Sequence, residues 1–282
     1  MPSTMPTARR QRLGSELRRL RERAGLTATQ AAAFIGGNQA RMSNIEAGRY
    51  GVSAERVREL AHRYECTDQE LIEALSGMTG ERRNGWWEEY REILAAGLLD
   101  LAELEYHGTR LRTSHTSGIP GLLQTVEHAR EVFRQVVPEL TPSQIEHRLS
   151  FRIKRQEVLF GDAPPPYTAV IHEAALRMRF GGPEVAKAQL THLLAMSEAQ
   201  HISIRAIPFT AGGYPGAGQP VYYVHGPVPQ LDTVQLDQSH GVVLLDAEAQ
   251  LAKYRRVLDR LEALALDEPR SRDLLQSITK TL

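Results

Sequence analysis

The sequence predicts an all-α head of five helices followed by an α+β domain with a small antiparallel sheet. Three observations carry this reading. Apolar residues recur at helical spacing, between capping residues, from about Arg10 to Leu75. The run Ser76-Gly77-Met78-Thr79-Gly80 then breaks that pattern and reads as a short linker. From Arg110 onwards, alternating stretches that suit strands are interspersed with helical ones. The expected boundaries are 9–76 for the head, 77–85 for the linker and 86–282 for the second domain.

In the head, the first eight residues, MPSTMPTA, read as a disordered tail. A first helix is expected from Arg10 to Ala24, with Leu13, Leu17 and Leu20 inward and Arg18, Arg19 and Arg23 outward. Gly25 ends it. Thr27 and Gln30 form a T-x-x-Q capping box that opens a second helix, on which Ala31 and Ile35 share a face. Gly36-Gly37 stops that helix, and Asn38 is a good cap for a third. There Met42 and Ile45 point one way, leaving Gln39, Ala40, Arg41, Ser43 and Asn44 to point elsewhere. Ser53 caps a fourth helix, with Val57, Leu60 and Ala61 inward. Thr67 and Glu70 form another box, followed by Leu71 and Leu75.

In the second domain, Trp86 to Tyr106 reads as one or two helices and Arg110 to Thr116 as a strand. Ile119-Pro120-Gly121-Leu122-Leu123-Gln124-Thr125 begins a helix running to about Val137. Thr141-Pro142-x-Gln144 opens another, ending near Phe160. Further strands are expected at Tyr167–His172, Ile202–Ile207, Gln219–His225, Thr233–Leu236 and Val242–Leu245. Helices are expected at Ala174–Phe180 and Pro183–Ala199, then from an Asp246 cap to Leu266, and from Ser271 to Leu282.

The outward set of the third helix carries the chemistry. Gln and Asn pair bidentately with adenine, Ala packs on a thymine methyl, and Arg holds a phosphate or a guanine. A short helix showing such residues from its N-terminal end is what a helix-turn-helix places in the major groove. The bland alternative is a helical hairpin with a solvated polar face. Charge agrees with the first reading: twelve arginines stand against six acidic residues through Cys66, and the remainder is acidic by the same margin.

Residues from about Arg9 to Leu75 resemble the Cro/phage-repressor type of helix-turn-helix domain, through LRRLRERAGLT, the AAAFIGG turn and MSNIEAG. The resemblance implies base-facing positions at Asn38, Gln39, Ala40 and Asn44. Arg41 and Arg49 are expected as further DNA contacts. The resemblance also implies an internal salt bridge between Arg21 and Glu46. The family often has Gln where Ala28 stands here, so Thr27 and Thr29 are the candidates for that phosphate contact.

Other classes find little support. No run of eighteen apolar residues is present, and the arginine-bearing start has no apolar segment after it, so neither a membrane span nor a secretory signal is expected. A lone cysteine, Cys66, allows no internal disulfide and reads as a small core residue, in keeping with the cytoplasm. The ten histidines show no metal spacing. His172-Glu173 lacks the second histidine of a zinc protease helix, and Gly212-Gly213-Tyr214-Pro215-Gly216 is a poor phosphate cradle. No metal, no cofactor and no enzymatic activity are expected.

From about Trp86 to Ser277 the chain resembles the C-terminal domain of actinobacterial antitoxin-like regulators. The matching residues are IPGLLQT, the run holding Arg152, Lys154, Arg155 and Gln156, HEAALR at 172–177 and ISIRAIPF at 202–209. That resemblance implies a transcription regulator whose second domain binds a small protein encoded nearby. Trp86, Gly121, Leu122 and Gln124 are the expected contacts, although Leu122-Leu123 also reads as entering the core. A homodimer on duplex DNA with a two-part site is expected, because one short helix reads only a few base pairs. Two alternatives stand: a small-molecule-sensing repressor, and an enzyme with a DNA-targeting head that works near His172 and Glu173.

Overall fold

The computed structural model describes residues 6–79, 85–216, 218–238 and 241–282. Most of the expected tail and residues 80–84 of the expected linker lie outside these. The chain divides into two compact units. One is Met1–Glu89 with Pro227–Leu231, and the other is Tyr90–Gly226 with Asp232–Leu282.

The first unit is helical: α1 Ala8–Arg23, α2 Ala28–Phe34, α3 Gln39–Glu46, α4 Ala54–Arg63 and α5 Gln69–Gly77, then a 3-10 turn at Trp86–Tyr90 that runs one residue past its edge. Thr7 caps α1 by accepting the Arg10 N–H, so the chain becomes helical before the expected tail ends. The Thr27–Gln30 box is formed in both directions. Asp68, not Thr67, caps α5, its carboxylate accepting the Leu71 N–H at 3.0 Å. Aspartate caps at least as well as threonine and adds a negative charge at the positive end of the helix. Leu13, Leu17 and Leu20 meet Ala31, Met42, Ile45, Val57, Leu60, Leu71 and Leu75 in one core, which also takes in Val228 and Leu231. Where α1 meets the end of α3, a side chain at Gly14 would come within 2.4 Å of the Glu46 carbonyl oxygen.

In the second unit, α6 Ala96–His107 leads into β1 Arg110–His115. Then come α7 Val126–Arg134, α8 Pro142–Gln156, β2 Tyr167–His172, α9 Glu173–Arg177, α10 Pro183–Met196 and β3 Ile202–Ile207. β4 Val221–His225, β5 Thr233–Gln238 and β6 Gly241–Leu245 follow, then α11 Glu248–Leu264 and α12 Glu268–Thr281. Among the described residues the sheet has six strands in the order β3-β2-β1-β4-β5-β6. It is mixed, not antiparallel as expected. β1, β2 and β3 are parallel, while β4 is antiparallel to β1, β5 to β4 and β6 to β5. The cause is connection length. Helices fill the links from β1 to β2 and from β2 to β3, long enough to carry the chain back to the same end, whereas short links join β4, β5 and β6.

Leu111, Tyr167, Ala169, Ile171, Ile204 and Tyr222 pack on one side of the sheet with Leu190 and Leu193 of α10 and Leu275 of α12. Val170, Val221, Tyr223 and Val234 pack on the other with Leu251, Leu258 and Leu261 of α11. Two helix starts near the end of the chain differ from expectation. Ala247, without a side-chain cap bond, precedes α11 in place of Asp246, and Asp267 caps α12 ahead of Ser271.

Candidate nucleic-acid interface

α3 is held from behind and bare in front. Met42 is fully buried and Ile45 nearly so. Gln39, Ala40, Arg41 and Ser43 are exposed, Asn38 is exposed ahead of them, and Asn44 is half-buried. The Asn38 side-chain oxygen accepts the Arg41 N–H at 2.9 Å, so its amide NH2 is what remains for a base or phosphate. Asn44 Oδ1 accepts from Arg49 Nη1 at 3.4 Å, a long bond that leaves Asn44 adjustable. Thr27 and Thr29 are exposed at the start of α2, where free N–H groups favour an anion. Thr27 is already spent on Gln30, so Thr29 has the less engaged hydroxyl.

A buried clamp fixes the angle between α1 and α3. Arg21 donates Nε to Glu46 Oε1 at 2.6 Å and Nη2 to Glu46 Oε2 at 2.9 Å, and its Nη1 donates to the Leu26 carbonyl at 2.7 Å. Tyr64 lies close by. Burial, with the Glu46 charge adding to it, pushes its hydroxyl up to about 12. Glu46 therefore does not face a base. Removing one partner strands the other charge, at a cost of ~3–5 kcal/mol. Arg21→Ala is expected to lower the melting temperature of the head without changing which operator bases are preferred. Unchanged melting with lost DNA binding would refute that role. Of the outward arginines of α1, Arg18 pairs with Glu22 and Arg19 with Glu16, which lessens their pull on phosphate.

The expected partner contacts of the second domain are mostly interior. Leu122 and Gln124 are buried, because IPGLLQT folds into a 3-10 turn at Gly121–Leu123 against α8 and α10, and not into the start of a long helix. Three glutamines pin this turn. Gln124 Nε2 donates to the Ile119 carbonyl, Gln156 Nε2 to the carbonyls of Gly121 and Gln124, and Gln189 Nε2 to that of Leu123. Leu122 and Gln124, expected as partner contacts, are therefore engaged in packing and hydrogen bonding within this turn. Gly121 is half-buried behind Arg152. Trp86 is half-buried too, its ring edge-on to the buried Trp87, and belongs to the first unit.

His172 and Glu173 are both engaged in hydrogen bonds with nearby groups. His172 Nδ1 accepts the Ala174 N–H at 3.1 Å, and Glu173 holds Arg177 and the Phe209 N–H. Among the described residues no group of three or more His, Cys, Asp or Glu could hold a metal ion. No helix among them is long and apolar enough to cross a membrane.

A turn joining α2 to an exposed, polar α3 defines a helix-turn-helix, and a helix-turn-helix domain model matches residues 12–75. That match supports a regulator of the Cro/phage-repressor type and suggests DNA binding. The larger part of the chain, residues 98–277, matches the domain of unknown function DUF5753, and the chain belongs to that family. Neither the curated proteins nor the solved structures contain a match.

Proposed function

We propose that this protein is a sequence-specific transcription regulator that reads duplex DNA with α3, and that residues 90–226 and 232–282 receive its regulatory input. The supporting observation is the arrangement of α3, whose apolar side is locked into the head while Gln39, Ala40 and Arg41 stand clear of it. Gln39 is the residue placed to read a base edge, and one good bidentate contact is worth ~1–3 kcal/mol of discrimination. Gln39→Ala should relax selectivity at one base pair of a selected operator. Equal weakening on every sequence would make Gln39 a phosphate contact.

The same reading places the protein in the cytoplasm as a homodimer on a two-part site, which light scattering of the operator complex tests. Its input is a small protein encoded nearby, as the resemblance to antitoxin-like regulators implies. With Leu122 and Gln124 interior, the exposed apolar side chains Tyr106, Ile153 and Phe160 are where that partner is to be sought. Partner binding changes DNA affinity only through differential affinity for the DNA-competent state, typically ~1–3 kcal/mol of coupling. Titrating the small protein into the operator complex tests it, and an unchanged affinity removes the protein-partner reading. A small-molecule input is the second reading, favoured by a polar group inside the second unit.

A further inference from the structure

One face of the sheet in the second unit carries a group of polar side chains, and some of their hydrogen-bonding capacity is not used by the fold. Strand register puts them together. Thr113 of β1 lies opposite Tyr222 of β4, and Tyr222 lies opposite Gln235 of β5. Leu111, two residues before Thr113, lies opposite Tyr167 of β2. Residues two apart on a strand share a face, so His115 and Asp237 extend the same surface towards the ends of β1 and β5. α8 completes it. Arg155 lies within electrostatic reach of Tyr222 and Tyr167, and Arg152 within reach of Asp237 and His115.

The two arginines differ in one decisive way. Arg155 is matched, donating Nε and Nη2 to the two oxygens of Glu105 at 2.7 and 2.9 Å. Arg152 donates Nη1 to Gln124 Oε1 and lies over the Phe133 ring, 4.4 Å from its centroid. Its Nε has no partner, and among the described residues no carboxylate stands within ion-pair distance of it. The Tyr167 hydroxyl and Gln235 Oε1 are likewise buried without partners, while Glu105 stands next to the Tyr222 hydroxyl. A buried polar group left unpaired is costly, and the gathering of several at one place calls for a functional reason. The group is reachable from solvent, since Arg152 and His115 are half-buried and Asp237 is exposed.

The chemistry of the lining defines what it can hold. At one side stands a cation with a free N–H. At the other, Gln235 offers an oxygen, and its Nε2 donates to Asp237 Oδ1 at 3.0 Å. The tyrosine hydroxyls between them both give and accept. His115 adds no charge at neutral pH, because burial pushes it down to about 4. One positive and one negative end suit a ligand with a single anionic group and a donor beside it, and Asp237 repels a second anionic group.

We propose that this face binds a small carboxylate carrying a hydroxyl or amine donor, its carboxylate held by Arg152 and its donor by Gln235 and Asp237. This builds on the reading that the second unit receives the input, yet it requires nothing of the head.

The test uses the full chain with acetate, glycolate and glycine as probes, each against chloride at constant ionic strength, followed by melting and by calorimetric titration. All three should stabilise the wild type by binding the native state, glycolate and glycine more than acetate. Arg152→Gln should weaken binding about tenfold or more, the loss expected of one charge-assisted bond. Asp237→Asn, at an exposed position, should keep the acetate response and lose the preference for glycolate and glycine. Circular dichroism checks that Arg152→Gln folds, and Arg152→Lys, retaining the charge without the fork, should bind acetate with intermediate strength. A wild type indifferent to all three probes, or an Arg152→Gln protein responding as the wild type does, overturns the proposal. Operator binding measured on the same samples keeps the two readings apart. Its loss from the wild type removes the regulator reading and leaves the carboxylate site standing.

Discussion

Glu105→Ala is expected to destabilise the second unit by ~3–5 kcal/mol, the usual cost of stranding one member of a buried ion pair. Glu105 is 1 % exposed and Arg155 6 %. Both oxygens of the carboxylate are engaged by the one guanidinium. Glu105 lies on α6 and Arg155 on α8, so the pair ties two helices that are 50 residues apart in sequence. Tyr167 and Tyr222 sit in the same field. Burial first, and then the Glu105 charge, hold both phenols well above their ordinary range. Without the carboxylate, Arg155 would be a buried cation beside Arg152, which itself lacks a counter-ion. Urea unfolding of the variant measures the loss. A double change, Glu105→Met with Arg155→Met, should recover much of it, because buried pairs barely outweigh apolar replacements of similar volume. A single variant within 1 kcal/mol of wild type, on the scale where exposed pairs fall, would mean that water reaches the pair.

The second large effect is on acidification. Burial pushes His128 down to about 4, with the positive charge of Arg152 adding to it, and His115 is also held at about 4 by burial. In the unfolded chain both titrate near the ordinary value of 6.5. Between those values the unfolded state binds protons that the folded state refuses, so stability rises with pH and falls as pH is lowered. The contribution is whole above about pH 6.5 and is lost towards pH 4, roughly 3–5 kcal/mol of it by pH 4.5 for the two together. Burial lowers His192 in the same direction. Urea unfolding at pH 7.0, 5.5 and 4.5 should show the decline, and His128→Leu should flatten it. A stability curve level across this window would place the His128 imidazole in contact with water.

What the sequence made legible was what is local. Thr27 with Gln30 and Asn38 before α3 announce helix starts within four residues, and the structure has those starts. Thr67 misled only because Asp68, the next residue, caps as well. The Arg21–Glu46 clamp joins residues 25 apart. Spacing does not suggest it, and only the family resemblance implies it. Strand direction is as non-local. Each strand was visible from its alternation, but only the helices lying between β1, β2 and β3 signal a parallel arrangement. From the sequence, IPGLLQT reads both as core and as a contact surface. The glutamines that close it, Gln124, Gln156 and Gln189, come from three elements and look in sequence like ordinary polar surface residues. The group around Arg152 draws on α8 and four strands, and no spacing rule connects them.

Val228 and Leu231 have a bearing on how the protein is made. The helices α1 to α5 leave the ribosome early, and their contacts are local enough for rapid folding. Their core nevertheless includes two side chains that are translated about 150 residues after α5. At synthesis rates of ~5–20 residues per second that is a delay of roughly 8–30 s. During it the head must persist with part of its apolar interior uncovered, or wait. Operator binding by ribosome-bound chains should therefore strengthen once Leu231 has cleared the exit tunnel, which arrest before and after that point would reveal. A head built this way completes its own core only when most of the second unit has already been synthesised.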